Sequence, residues 1–190
     1  ADITPSGAGN ITIDINAGVA ADAASNGNTA ASQVSVTYDA GQPTVAITGA
    51  PSYKNNTTAF NVTITFSESV TGFAVGDISV TNGSAGNLLG GPAVYTADIT
   101  PSGAGNITID IARGVAADAA NNGNTAAAQV SVTYDASQPT VAITGAPAYK
   151  NSTSSFNVTI TFSESVTGFA EGDISVTNGS AGNLLGGPSV

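Results

Sequence analysis

The sequence predicts an all-β fold built from tandem sandwiches, and three observations carry that prediction. The chain repeats itself at an interval of 96 residues: positions 1–94 and 97–190 align without a gap, and 11 of the 94 pairs differ. Apolar residues alternate with polar ones over short β-branched runs, which is the period of a half-buried strand. Gly, Pro, Asn and Ser gather between those runs, and no stretch carries a helical period.

The strands follow from the alternation. Phe60, Val62, Ile64 and Phe66 share one side of a run whose other side is Asn61, Thr63 and Thr65. Ile107, Ile109 and Ile111 do the same against Thr108 and Asp110. Val130 with Val132 and Tyr134 makes a third run, and Val45 with Ile47 marks a fourth. Weaker runs cover residues 78–81 and 94–99. Seven or so short strands per repeat fit an immunoglobulin-like sandwich, and 96 residues suffice for one small core.

Domain phase comes from proline. Pro43 and Pro139 have no N–H to give a central ladder, so each belongs at the first residue of an edge strand. The segments ahead of them, from Tyr38 and from Tyr134, read as linkers. The expected organisation is the closing half of one sandwich over residues 1–38, a linker at 39–42, and a complete sandwich over 43–135. A linker at 136–138 and the opening half of the next sandwich over 139–190 follow. Strands of the complete unit are expected at 44–48, 60–67, 77–82, 93–99, 106–112 and 129–134, with an irregular one near 85–89. The opening words of the chain recur at Ala97, so it reads as a window on a longer array. The alternative is a head-to-tail filament in which half-sandwiches of separate chains complete each other.

Composition narrows function. Only 8% of residues are charged, against roughly 25% in an average globular protein, and 13 acids face three bases, Lys54, Arg113 and Lys150. With a net charge of −10 there is no basic stripe to neutralise phosphates, which excludes nucleic acid and disfavours anionic membranes. Without His or Cys, histidine bases, thiolate zinc sites and disulfides are excluded. No apolar run is long enough to span a bilayer, so direct membrane insertion is not expected. Paired carboxylates for glycoside hydrolysis need a cleft and a pKa split, which nothing in the sequence suggests. A second near-identical copy adds length or avidity rather than chemistry. The chain therefore reads as a structural protein and not an enzyme. Scarce charge, absent Cys and abundant Thr, Asn, Ser and Gly suit an extracellular bacterial product.

Several linked motifs support a family resemblance. Phe66-Ser67-Glu68 ends a strand, Val70 to Phe73 makes a Val-Thr-Gly-Phe turn, Asp77 to Gly83 opens the next strand, and Asp118 to Asn124 fills the last loop. In that order, across essentially the whole chain, they resemble the bacterial Ig-like repeats of large surface adhesins. The resemblance implies a sandwich fold and a stalk-extending role on the cell surface, often stiffened by calcium. Its partners would be neighbouring Ig-like repeats in the same chain or in adjacent chains.

Topology points independently to a cation site. In an Ig-like sandwich the incoming linker, the loop after the second strand and the last loop gather at one pole. Those segments hold Asp39, then Glu68 and Asp77, then Asp118, Asn122 and Asn124. Two carboxylates about 5 Å apart repel by roughly 3 kcal/mol at an effective dielectric near 20. Ca²⁺ would offset that, because it takes six to eight oxygens from carboxylates and amide carbonyls. Asp135, Glu164 and Asp173 repeat the pattern at the second junction, and Asp22, Asn26 and Asn28 belong to the pole of the preceding sandwich. The competing reading makes the same residues ordinary turn formers. Asp14, Asp98 and Asp110 are expected on solvated faces. A second functional class, a lateral face that binds glycan, protein or ice, would require a flat exposed row of Thr or aromatic residues.

Overall fold

The alternation read from the sequence becomes two facing sheets between Val45 and Tyr134 in a computed structural model, which describes residues 1–187. In chain order the strands are β1 Gly9–Ile13, β2 Val34–Tyr38, β3 Val45–Thr48, β4 Tyr53–Lys54, β5 Phe60–Phe66 and β6 Ile78–Thr81. They continue with β7 Gly83–Gly90, β8 Val94–Pro101, β9 Gly105–Ile111, β10 Val130–Tyr134, β11 Val141–Thr144 and β12 Thr159–Phe162. One four-stranded sheet has the order β3-β5-β8-β7 and the other β4-β10-β9-β6. This is the strand distribution of an immunoglobulin-type sandwich, as the sequence predicts. The chain divides into two compact units, Ala1–Ala136 and a second that begins at Ser137.

Strict alternation fills the space between the sheets. Val62, Ile64, Ile99, Ile107, Ile109, Ile111 and Val132 are fully buried, and all are β-branched. Phe66, Phe73 and Tyr95 close the core as an edge-to-face trio with centroids 5.1–6.1 Å apart, a geometry favoured by the aromatic quadrupole. The core needs neither Trp nor a disulfide.

Two elements differ from expectation. The segment expected as an irregular strand near 85–89 is an eight-residue strand, β7, paired with β8 from Gly83 to Gly90 and broken only by a bulge between Gly86 and Leu89. Asn82 alone connects it to β6, with φ at +53°. The chain changes sheets at that residue, and a Cβ on Gly83 would stand 2.8 Å from the Thr100 carbonyl oxygen. Glycine there is imposed by the corner. Tyr53 and Lys54, which lie outside every expected strand, form β4 and pair in parallel with Thr133 and Tyr134. Two residues are too few for alternation to register.

The flanking segments keep only part of the pattern. β1 and β2 pair from Gly9↔Tyr38 to Ile13↔Val34, copying Gly105↔Tyr134 to Ile109↔Val130 of β9 and β10. β11 and β12 copy β3 and β5. Residues 1–5, which carry the sequence of β8, are not in a strand, and neither are residues 174–177, which carry that of β6. In the complete sandwich β8 lies between β5 and β7, and β6 lies beside β9; residues 1–38 include no copy of β5 or β7, and residues 139–187 no copy of β9. Residues 188–190 of the predicted third segment lie outside the described residues.

Truncating Ile64 to Ala should cost about 2–5 kcal/mol, the usual range for emptying a packed aliphatic site. A urea denaturation curve followed by circular dichroism would measure it as a fall in midpoint at unchanged slope.

Candidate metal centre

The pole of the complete sandwich is built by side chains that hold backbone. In the β9–β10 loop, Asn124 is 1% exposed. Its Oδ1 accepts the Ala116 N–H at 2.8 Å, and its Nδ2 donates to the carbonyls of Ala112 and Thr125 at 2.9 and 2.7 Å. Asp118, 5% exposed, organises the loop tip. Its Oδ1 accepts the N–H groups of Ala120 and Asn122 at 2.8 and 2.9 Å, and its Oδ2 accepts Asn122 Nδ2 at 2.9 Å. This is Asp used as a local turn former.

The loop is also tied to both neighbours. Asn122 Nδ2 donates to the Asp39 carbonyl at 3.1 Å, and the Thr125 N–H donates to the Pro43 carbonyl at 2.8 Å, so the incoming linker is fastened to the loop. Thr71 and Ala117 exchange both backbone hydrogen bonds, at 2.8 and 3.0 Å, which fastens the β5–β6 loop to it as well.

This wiring brings three carboxylates together. Oxygens of Asp39, Glu68 and Asp118 all lie within 4.8 Å of one another, although the residues are dozens of positions apart in sequence. Asp118 is buried and Glu68 half-buried. Asp39 Oδ1 accepts the Gly41 N–H at 2.8 Å. The hydrogen bond from the Asn122 side chain, aided by backbone N–H groups of Asn122, Ala120 and Asn121, holds the Asp118 carboxyl below the usual carboxylate range against the opposing effect of burial. The charged form is therefore the one the loop is built around. An all-oxygen donor set of carboxylates and amide carbonyls suits a hard cation such as Ca²⁺ rather than a soft metal.

Other candidates fall elsewhere. Asn124 differs from the expectation that it faces a cation, because its amide is buried and engaged with backbone at both ends. Asp77 stands apart from the trio: its Oδ2 accepts the Ala74 N–H at 2.8 Å and closes the 3₁₀ turn Val75–Asp77. Asp173 does the same for Ala170 at 2.9 Å. Asp22, Asn26 and Asn28 reproduce the loop of Asp118, Asn122 and Asn124, with Asp22 Oδ2 accepting Asn26 Nδ2 at 3.0 Å and Asn28 Oδ1 accepting the Ala20 N–H at 2.7 Å. Asp135 belongs to the first compact unit, while Glu164 and Asp173 belong to the second.

Asp14, Asp98 and Asp110, expected to be simply solvated, each have defined partners. Gln129 Nε2 donates to both oxygens of Asp110 at 3.0 Å, and Gln33 does so to Asp14 at 3.1 and 3.0 Å. Asp98 accepts from Asn87 at 2.7 Å and Asn61 at 3.2 Å on the two flanking strands, and those bonds lower its pKa, Asn87 first. The cross-strand pairs Asn61↔Asp98 and Gly86↔Asp98 were the signal for that contact, and they depend on registers the sequence does not reveal. The same outward face carries a row of Thr48, Thr63 and Thr96 across three strands.

A family model described as the bacterial Ig-like domain matches residues 39–134 and again 135–188. The chain belongs to that family. No curated protein and no solved structure matches the chain.

Replacing Asn124 by Ala should cost about 1–3 kcal/mol, because it strands a buried N–H and two carbonyls; thermal melting would register the loss. In calcium-free buffer, stability should fall as the pH drops below the ordinary Asp value of 3.8. Folded Asp118 binds its proton more weakly than the unfolded chain does, so its contribution is complete above that value and lost as the folded carboxyl titrates. Asp118→Asn, which keeps the turn oxygen, should flatten that part of the melting-temperature profile.

Proposed function

We propose that this chain is a structural extender of a bacterial cell-surface adhesin or filament, in which tandem Ig-like sandwiches form an extended stalk and Ca²⁺ stiffens the junction between one sandwich and the next. The observation that carries the reading is the approach of Asp39, Glu68 and Asp118 within 4.8 Å. One of the three lies in the linker and two in the loops of the following sandwich. A cation held by all three ties the linker to the body of the sandwich and removes its freedom to swing.

The chain's composition supports the same role. The net charge of −10 draws divalent cations and discourages chains from collapsing on one another. Bacterial Ig-like domains commonly serve as surface repeats without catalytic activity, and an acidic, Cys-free, Thr-rich chain suits an extracellular setting. Among the described residues no helix is long and apolar enough to cross a membrane. In the metal site, Asp118 would supply an oxygen already oriented by Asn122, Glu68 the most adaptable arm, and Asp39 the ligand that moves with the linker.

Calorimetry of the chain in CaCl₂ and in EGTA is the test. At free Ca²⁺ about 100 times its dissociation constant, one site should add about 2.7 kcal/mol to stability, and Glu68→Gln, which leaves the hydrogen bonds of the Asp118 loop in place, should remove most of that gain while leaving the EGTA melting curve near wild type. An identical curve in both buffers would make the three acids turn formers and discard the metal.

A further inference from the structure

The complete sandwich carries five Asn-x-Ser/Thr triplets, beginning at Asn55, Asn56, Asn61, Asn82 and Asn106. This is the pattern that accepts an N-linked sugar on an exposed loop, and the fold treats the five differently. Asn61 and Thr63 lie in β5, and Asn106 and Thr108 lie in β9. Side chains two residues apart in a strand are separated by about 6.6 Å, beyond hydrogen-bond reach, and both segments are locked in ladders. Asn61 Nδ2 also donates to Asp98 at 3.2 Å. Asn82 Nδ2 is committed to the Asn106 carbonyl at 2.8 Å, at the corner between β6 and β7.

Asn56 is placed differently. Residues 55–59 belong to no strand and are all exposed. Asn56 Oδ1 accepts the Thr58 N–H at 3.1 Å and the Thr58 hydroxyl as well, which is the Asx turn that Asn makes with the residue two positions on. The Thr58 hydroxyl accepts in turn from Lys54 Nζ at 3.1 Å, and that ammonium is held over the Phe60 ring, 6.0 Å from its centroid. A hydroxyl that donates to the amide oxygen draws electron density from the carbonyl and makes the Nδ2 protons easier to lose. A cation behind the hydroxyl strengthens it as a donor. Asn55, in the overlapping triplet, has its Oδ1 occupied by Asn56 Nδ2 at 2.9 Å.

We infer that Asn56 is an acceptor for an N-linked sugar, and that its turn with Thr58 selects it over the other four triplets. The donor is a sugar activated at its anomeric carbon by a phosphate leaving group, and a separate transferase brings it. A bond forms between Asn56 Nδ2 and the anomeric carbon. The bond from that carbon to the phosphate oxygen breaks with its electrons on the phosphate, and the Nδ2 proton passes to a base of the transferase. Position 56 is also one at which the repeats differ: Ser152 stands in place of Asn56, although Lys150 Nζ keeps its bond to the Ser154 hydroxyl at 3.0 Å. This acceptor therefore has no copy in the segment that follows the sandwich. The inference is independent of the calcium reading, because residues 55–59 contain no carboxylate.

The experiment is to incubate the folded full chain with UDP-glucose and a soluble transferase specific for Asn-x-Ser/Thr, then to locate hexose by peptide mass spectrometry. Short synthetic peptides around the triplets are run beside it. Hexose should appear on Asn56 of the folded chain, while Asn61, Asn82 and Asn106 should take it as peptides and lose it in the fold. Asn56→Gln leaves the triplet from Asn55 to Thr57 intact, and this variant should carry no hexose in the loop. Thr58→Ser, which keeps the hydroxyl, should be modified like wild type. Both positions are exposed, so melting curves of the two variants should match wild type and separate loss of sugar from loss of fold. An unmodified Asn56 in the folded chain would overturn the inference. So would transfer to the strand triplets as readily as to Asn56, or transfer to Asn55 in Asn56→Gln.

Discussion

The ladder between β5 and β8 is the constraint on which the rest depends. It joins residues 60–65 to residues 94–99 in one unbroken antiparallel register, and it is the seam between the opening and closing halves of the sandwich. Val62, Ile64, Ala97 and Ile99 are all fully buried along it. With that seam made, β7 has a strand to pair with and β9 can receive β6. Among the described residues of the two flanks the apolar alternation remains in the sequence, while residues 1–5 and 174–177 take no strand. The period-two pattern is a local property. Burial of its apolar face depends on the opposite half.

The pole shows the same dependence at smaller scale. Asn124 and Asp118 do not face one another, yet each spends its polar atoms on the same loop, one from inside and one at the tip. Through Asn122 the loop reaches the linker, and through Thr71 and Ala117 it reaches the loop after β5. Three segments with no pairing preference of their own are held in one arrangement by these bonds. The carboxylates of Asp39, Glu68 and Asp118 converge as a result. Their mutual repulsion is a cost the hydrogen-bonded frame sustains, and relief of that repulsion is what a cation offers.

Much of this was legible in the sequence. The alternation at Phe60 to Phe66 and Ile107 to Ile111 located the strands and the face each buries, and Pro43 marked where a sheet edge begins. The Ig-like order of elements brought the linker and two loops to one pole. What escaped depended on register and on very short elements. Tyr53 and Lys54 are too few to show a period. The Asp98 contacts with Asn61 and Asn87 require knowing which residues lie opposite across two ladders. Asn124 looked like a ligand because Asn in a Gly-rich loop has both uses; only its burial, with Ala116, Ala112 and Thr125 around its amide, separates them. β7 was obscured by glycines, which break alternation in a sequence but are required at the corner beside Thr100.

The parallel pairing of β4 with β10 has a mechanical consequence. β4 lies near the start of the sandwich and β10 at its end, and the Thr133 N–H donates to the Ser52 carbonyl and the Asp135 N–H to the Lys54 carbonyl at 3.0 and 2.8 Å. Tension applied through the two ends of the domain pulls parallel neighbours in opposite directions along their length. Their bonds are then loaded in shear, side by side, rather than peeled open one after another. This two-bond patch therefore acts as a clasp under traction, the next to be loaded after the linker contacts and β3, which precede it in the chain.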